Sequence, residues 1–273
     1  MDKVYMVHRD SLSCEAIVRK LPDGSLLLLS QCGGMTEPCG ENRVLVFHGE
    51  ESGKWSKPAL ICEDNGRAMY ATDVDVNGGV VTAYVTEHNG GYLDASCYAM
   101  VSRDGGYTWR RHELPVFRDT FVFLRGTMRA DGKTLIAYQH YPFTGEDAML
   151  LRVNGAGVLY RSDSPDGLTW SKPYPTDIPN PNNKPKLLNL EGGAVALINT
   201  PNRALGFKNR NPLEIWISDD DMRTWRYKKR VLDFPGWLSY PDGFAEGRRI
   251  VFSFEVNRHD IYLADCDVSD FFQ

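Results

Sequence analysis

Four tryptophans, Trp55, Trp109, Trp170 and Trp225, recur at intervals of 54, 61 and 55 residues, each closing a similar hairpin-like segment. The clearest copy reads Ser102-Arg103-Asp104-Gly105-Gly106-Tyr107-Thr108-Trp109. Self-similarity at such a period marks an array of equal supersecondary units, because one unit alone cannot bury its apolar face. The other copies are degenerate. Ser218-x-Asp220-x-Met222-x-x-Trp225 lacks the glycine, the turn before Trp170 carries an extra residue, and Glu50-x-Ser52 precedes Trp55.

Five segments share one grammar: a strand, a glycine turn, a second strand, a variable loop, a third strand, and a tight turn leading to a fourth. The first turns are Pro22-Asp23-Gly24, Asn77-Gly78-Gly79, Asp131-Gly132-Lys133, Glu191-Gly192-Gly193 and Glu246-Gly247-Arg248. Each is a hairpin signal, since glycine tolerates the positive φ such turns require. The runs that follow are β-formers: Leu26-Leu27-Leu28-Leu29, Val80-Val81-Thr82-Ala83-Tyr84, Leu135-Ile136-Ala137-Tyr138 and Ile250-Val251-Phe252-Ser253-Phe254. No segment shows a 3.6-residue amphipathic period. The expectation is an all-β chain, one domain over residues 1–273, built as a five-bladed β-propeller. After Ile261-Tyr262-Leu263-Ala264 the last blade has only three strands. Val4-Tyr5-Met6-Val7 has no place in the first blade, so it is expected to supply the missing outer strand and close the ring, removing an exposed edge. Asp104 and its counterparts are read as structural: the carboxylate accepts backbone N–H bonds within its own turn, and the indole packs between strands.

Composition excludes several classes. A net charge of −5 gives no electrostatic reason to expect nucleic acid or an anionic membrane as partner. The one basic run, Lys228-Lys229-Arg230, suits a solvated strand edge. No apolar stretch approaches the roughly 20 residues of a membrane span. The first residues lack a basic segment followed by an apolar run, so the expected location is cytoplasmic. The six cysteines are unclustered and read as reduced thiols. The histidines form no set with ligand spacing, and no phosphate loop or serine elbow occurs, so neither metal nor cofactor is expected.

The Trp motif, repeated through a β chain, resembles the Asp-box, or BNR, repeat of the sialidase superfamily. Glu15 to Leu27 look like the opening inner strands of that family. Asn182-Asn183-Lys184-Pro185, Arg210-Asn211-Pro212-Leu213 and Ser239-Tyr240-Pro241-Asp242 look like the late blades of its "predicted neuraminidase" branch. The resemblance implies a carbohydrate ligand and a site on the face where the inner strands begin, with the Asp-box turns opposite. It also implies an arginine ten residues before the first turn glycine, where this chain has Cys14. Cysteine cannot supply the bidentate grip on a carboxylate that arginine gives, and Arg9 is the nearby substitute. Family sialidases usually have six blades, against the five counted here.

The face rule sorts the polar residues. Inner-strand starts offer Glu15, Tyr70, Asp73, Arg125, Lys184, Lys186, Tyr240 and Asp242; the loops between second and third strands offer Glu37, His140, Arg210 and Arg258. Asp73 and Asp242 each stand five residues before a turn glycine, Gly78 and Gly247. Glycoside hydrolysis uses two carboxyl groups, one as acid and one as base or nucleophile. The candidate acid/base residues are therefore Asp73, Asp242 and Glu37 or Glu15. Tyr70 and Tyr240 line the subsite or act as a phenolate nucleophile. Arg9, Arg125, His140, Lys184, Lys186, Arg210 and Arg258 orient the substrate. An alternative reading of the carboxylates is pairing with Lys184, Lys186 or Arg125 inside a structural channel. The leading expectation is an exo-glycoside hydrolase acting on a terminal sugar, acidic or neutral. Its rivals are a non-catalytic carbohydrate-binding propeller and a polysaccharide lyase, and the oligomeric state stays open.

Overall fold

A computed structural model describes residues 2–91, 93–118, 122–123, 126–127, 147–165, 169–233 and 236–273. The turn at 131–133, the run at 135–138, and the candidates Arg125 and His140 lie outside the described residues. Among the described residues there is no α-helix. The strands are β1 (Lys3–Arg9), β2 (Ser13–Lys20), β3 (Leu26–Cys32), β4 (Arg43–Gly49), β5 (Ala59–Leu60), β6 (Ala68–Asn77), β7 (Val80–His88), β8 (Ser96–Ser102) and β9 (Arg110–Arg118). They continue as β10 (Val122–Phe123), β11 (Gly126–Thr127), β12 (Asp147–Arg152), β13 (Val158–Ser164), β14 (Tyr174–Pro179), β15 (Lys186–Asn189), β16 (Val195–Asn199), β17 (Leu213–Ser218) and β18 (Tyr227–Leu232). The last are β19 (Leu238–Glu246), β20 (Arg249–Val256) and β21 (Asp260–Asp267).

These strands form antiparallel meanders in the order the turns predict. The sheets run β2-β3-β4-β5, β6-β7-β8-β9, β12-β13-β14, β15-β16-β17-β18 and β1-β21-β20-β19, with β10-β11 as a separate short ladder. The N-terminal strand is thus the outer edge of the last sheet, as the missing fourth strand requires. The sequence reading missed β12, whose alternation is too short to register as a strand. Every residue of β3 is buried, so its leucines serve both faces of its sheet. In β18 exposure alternates, and Lys228, Lys229 and Arg230 stand on an edge strand, where charge discourages further pairing. The β6-β7 hairpin turns on Gly78 and Gly79, at φ 55° and 80°, the two left-handed positions of its turn type.

The chain divides into two compact units, one of Met6–Ile136 with Arg258–Ile261, the other of Met1–Tyr5, Ala137–Asn257 and Tyr262–Gln273. The first has a core of Ile17, Leu27, Leu29, Val44, Met69, Val85, Tyr98 and their neighbours. The second has a larger core around Ile198, Ile215, Phe252, Phe254 and Leu238, and a smaller one around Leu159, Leu197 and Trp216.

The Trp-motif hairpins behave as their composition predicts. Asp104 accepts hydrogen bonds from Tyr107 N, Thr108 N, Thr108 Oγ1 and Ser102 Oγ at 2.6–3.1 Å, and the Trp109 indole donates to Gly106 O at 2.9 Å. Asp220 repeats the pattern with Thr224 N, Thr224 Oγ1 and Ser218 Oγ. Met222 takes the glycine's place at φ 61°, so the polar frame holds a left-handed backbone without a glycine.

Candidate functional site

Three inner strands break register near their starts. The irregularities fall between Cys14 and Ile17 in β2, Ala71 and Asp73 in β6, and Ser239 and Asp242 in β19. A bulge rotates the side chains that follow it and bends the strand, and such features cluster beside ligand sites. In β2 and β19 the bulge holds a non-glycine residue in the left-handed region, Glu15 at φ 51° and Tyr240 at φ 54°. Each such position costs on the order of 1–3 kcal/mol and persists only where the surroundings enforce it.

In the second unit, residues from three segments converge on Tyr240. Arg210 Cζ lies 5.0 Å and Lys184 Nζ 5.2 Å from its ring centroid. Arg210 donates to Ser239 Oγ at 2.9 Å and to Asn182 O at 2.7 Å, and its guanidinium covers Phe207 at 4.6 Å. Phe207 in turn stacks on Trp237 at 4.6 Å. Arg210 is only 4% exposed, and its Nε–H has no hydrogen-bond partner among the described residues. Among the described residues no carboxylate pairs with it. Asn183 fixes the strand beneath: its amide donates to Thr200 Oγ1 and Leu238 O, and its Oδ1 accepts from Lys184 N and Tyr240 N. The sequence reading quoted Asn183 only as part of a motif; its role emerges once β15 and β19 lie side by side. Lys186 and Asp242 form a buried ion pair at 3.4 Å.

In the first unit, Arg258 pairs with Glu37 and donates to Cys14 Sγ at 3.5 Å, while its carbonyl accepts from Ser13 N at 2.8 Å. The arginine that reaches Cys14 is therefore Arg258. Arg9 is instead held by both oxygens of Asp260, at 2.6 and 2.7 Å, a fork-to-carboxylate grip that occupies its guanidinium. Asp73 pairs with Arg19 at 3.0 Å and accepts from Val74 N at 2.8 Å. Tyr70 is buried, with His88 tilted against it at 6.1 Å. Burial, and then the charge of Arg67, lower the pKa of His88, whose Nδ1 accepts from Gly90 N. Glu87 lies between Arg67 and Arg111, at 3.5 and 3.0 Å.

The sequence candidates thus fall into two clusters and several pairs. Tyr240, Lys184 and Arg210 come together, as do Glu37 and Arg258. Lys186–Asp242 is an ion pair of the kind the alternative reading named, whereas Asp73 pairs with Arg19, a partner that reading did not include. Phe207 and Trp237 escaped the sequence reading, because single aromatics in loops carry no periodic signal. A cavity of about 440 Å³ lined by Val101, Arg103, Asp104, Thr108, Arg110 and His112 lies on the β8-β9 hairpin. Its carboxylate is already spent on the turn, so it offers no chemistry.

Hairpins of the Asp-box pattern, at Asp104 and Asp220, join the last two strands of two of the antiparallel meanders. Residues 137–251 match the BNR repeat-like domain family. Among solved structures the chain superposes on a sialidase with a TM-score of 0.73 at 12% identity, covering 98% of this chain and 33% of that one. A protein of unknown function from Dyadobacter fermentans DSM 18053 gives a TM-score of 0.60 at 13% identity, covering 97% and 98% of the two chains. The GH32 beta-fructofuranosidase BmSUC1 of Bombyx mori gives 0.51 at 15%, covering 92% and 57%. The chain therefore spans about a third of the length of that sialidase. No curated protein matches it by sequence. The chain is thus similar to the BNR repeat-like family over residues 137–251 and shares its fold with a sialidase over nearly all of its length. Among the described residues, no helix is long and apolar enough to cross a membrane.

Proposed function

We propose that the chain is a sialidase-like exo-glycoside hydrolase acting on a terminal sugar that bears a carboxylate, its sheets forming five blades of one closed propeller. The observation that carries the reading is Arg210. A buried guanidinium without a counter-charge is costly, and the cost is offset when an anionic ligand supplies the missing charge. Its spare Nε–H and the neighbouring Lys184 suit a carboxylate, and Tyr240, Phe207 and Trp237 offer ring faces to a sugar. Tyr240, with Lys184 and Arg210 beside its ring, is the candidate nucleophile. Asp73, Asp242 and Glu37 each lie against a cation and are the candidate base or stabilising carboxylates.

The same pairing favours a second reading, a carbohydrate-binding propeller without turnover, since an acid must hold a proton to give one up. A panel of chromogenic glycosides, including uronides and sialosides, run beside calorimetric titration with the free acidic sugars, separates the two. The hydrolase reading expects release from an acidic glycoside, with turnover lost in Tyr240→Phe and binding lost in Arg210→Met. Binding without release leaves the second reading standing. Failure of every acidic sugar to bind overturns both, and an unsaturated, ultraviolet-absorbing product moves the assignment to a lyase.

A further inference from the structure

In the first unit, the end of β1 and the end of β3 bring together three side chains that the proposed sugar chemistry does not use. They are His8, Asp10 and Cys32. A ring nitrogen of His8, an Asp10 carboxylate oxygen and Cys32 Sγ all lie within 4.8 Å of one another, with His8 Nε2 and Asp10 Oδ2 at 4.0 Å. His8 Nε2 is buried and has no hydrogen-bond partner among the described residues. A buried imidazole nitrogen left unsatisfied is uncommon, and here a thiol and a carboxylate face it. The Cys32 sulfur is fully enclosed and touches Ser13 Oγ at 3.6 Å. Asp10 is 37% exposed at its side chain and its other oxygen accepts from Ser11 N, so the carboxylate opens the cluster to solvent on one side.

We propose that His8, Asp10 and Cys32 form a binding site for a single zinc-like divalent cation. Nitrogen, thiolate and carboxylate are the three donor types that zinc accepts, and mixed sulfur and nitrogen donors select it over magnesium or calcium. Tetrahedral zinc with bonds of about 2.0–2.3 Å places its ligands about 3.3–3.7 Å apart. The observed spread, up to 4.8 Å, closes toward that range when the ion binds, and the Asp10 side chain has an exposed side on which to turn. Three protein ligands leave the fourth position to water. Binding takes the proton from the Cys32 thiol and releases it to solvent, so the sulfur enters as thiolate. The ion joins the end of β1 to the end of β3, two strands that are not neighbours in any sheet. Its role is a staple for the start of the chain. The sequence reading expected no metal, because His8 and Cys32 stand 24 residues apart and lack a short ligand spacing.

The test titrates the full chain, stripped with chelator, with cobalt and cadmium alone, then with zinc in competition. Expected are one equivalent of cobalt with tetrahedral visible bands and a thiolate charge-transfer band, the corresponding cadmium–thiolate band, and a rise in Tm with zinc. Cys32→Ser removes the charge-transfer bands. His8→Gln, at a half-buried position that tolerates the change, weakens zinc by at least about tenfold while the chain stays folded. The proposal is overturned if no thiolate band forms, if the bands survive in Cys32→Ser, or if His8→Gln binds zinc as tightly as the parent. Should Cys32→Ser fail to fold, the His8→Gln comparison alone decides.

Discussion

In β2 of one unit and in β19 of the other, a bulge sets a left-handed residue just after a small side chain to which a distant arginine donates. In the first, Arg258 reaches Cys14 Sγ; in the second, Arg210 reaches Ser239 Oγ. The backbone device is the same, but the charges around it differ. Arg258 is neutralised by Glu37, whereas among the described residues Arg210 has only neutral acceptors, Ser239 Oγ and Asn182 O. The inner-strand carboxylates differ as well. Asp242 and its lysine are almost wholly enclosed, while Asp73 pairs with Arg19 at a third of its full exposure. A repeated scaffold therefore fixes where side chains emerge, and the local charge balance decides whether a position is structural or awaits a ligand.

The largest effect that sharpens this comparison lies in the two carboxylates. Asp242→Ala strands a buried ammonium and is expected to cost about 3–5 kcal/mol in urea unfolding. Asp73→Ala, partly solvated, is expected to cost less than about 1 kcal/mol. Equal losses would break the distinction. Next come the arginines. Arg258→Met leaves Glu37 unpaired and is expected to lower stability by about 1–3 kcal/mol. Arg210→Met is expected to stay within about 1 kcal/mol of the parent, because removing an uncompensated cation offsets the two hydrogen bonds lost. A large loss in Arg210→Met would mark Arg210 as structural.

The smallest effect is acid stability. Hydrogen bonds from Thr108, then Ser102, hold the Asp104 carboxyl well below the usual carboxylate range. In Asp220, burial pushes the pKa up, but hydrogen bonds from Thr224 and Ser218 outweigh it and bring it to about 2. Both folded-state values lie below that of an unfolded aspartate, about 3.9, so the contribution is complete above that pH and is lost as pH falls toward 2. Asp104→Asn and Asp220→Asn are each expected to flatten the fall in Tm between about pH 4 and 2, and an unchanged slope would remove the hairpin carboxylates from the acid response.

Much of the architecture was legible in the sequence because its signals are local. Glycine turns, β-rich runs and the Ser, Asp and Trp offsets each act within a hairpin, so the strand order and the edge role of β1 followed from them. The site was legible by halves. Tyr240, Lys184 and Arg210 were found because inner-strand starts and second loops were searched together. What escaped depends on residues meeting across long separations: Arg258 on Cys14 in place of Arg9, the platform of Phe207 and Trp237, and the cluster of His8 with Cys32. No window of sequence contains those pairs. The bulges also escaped, since nothing in Cys14-Glu15-Ala16 or Ser239-Tyr240-Pro241 announces a positive φ.

That β1 borders β21 has a consequence for how the chain is made. During synthesis β1 must wait for β21, across the 250 residues between Arg9 and Asp260. Loop closure over such a span is slow, so this pairing is expected among the last steps of folding. Until then both strands present unsatisfied backbone to the surroundings, and a nascent chain in this state is open to pairing with its neighbours on the ribosome.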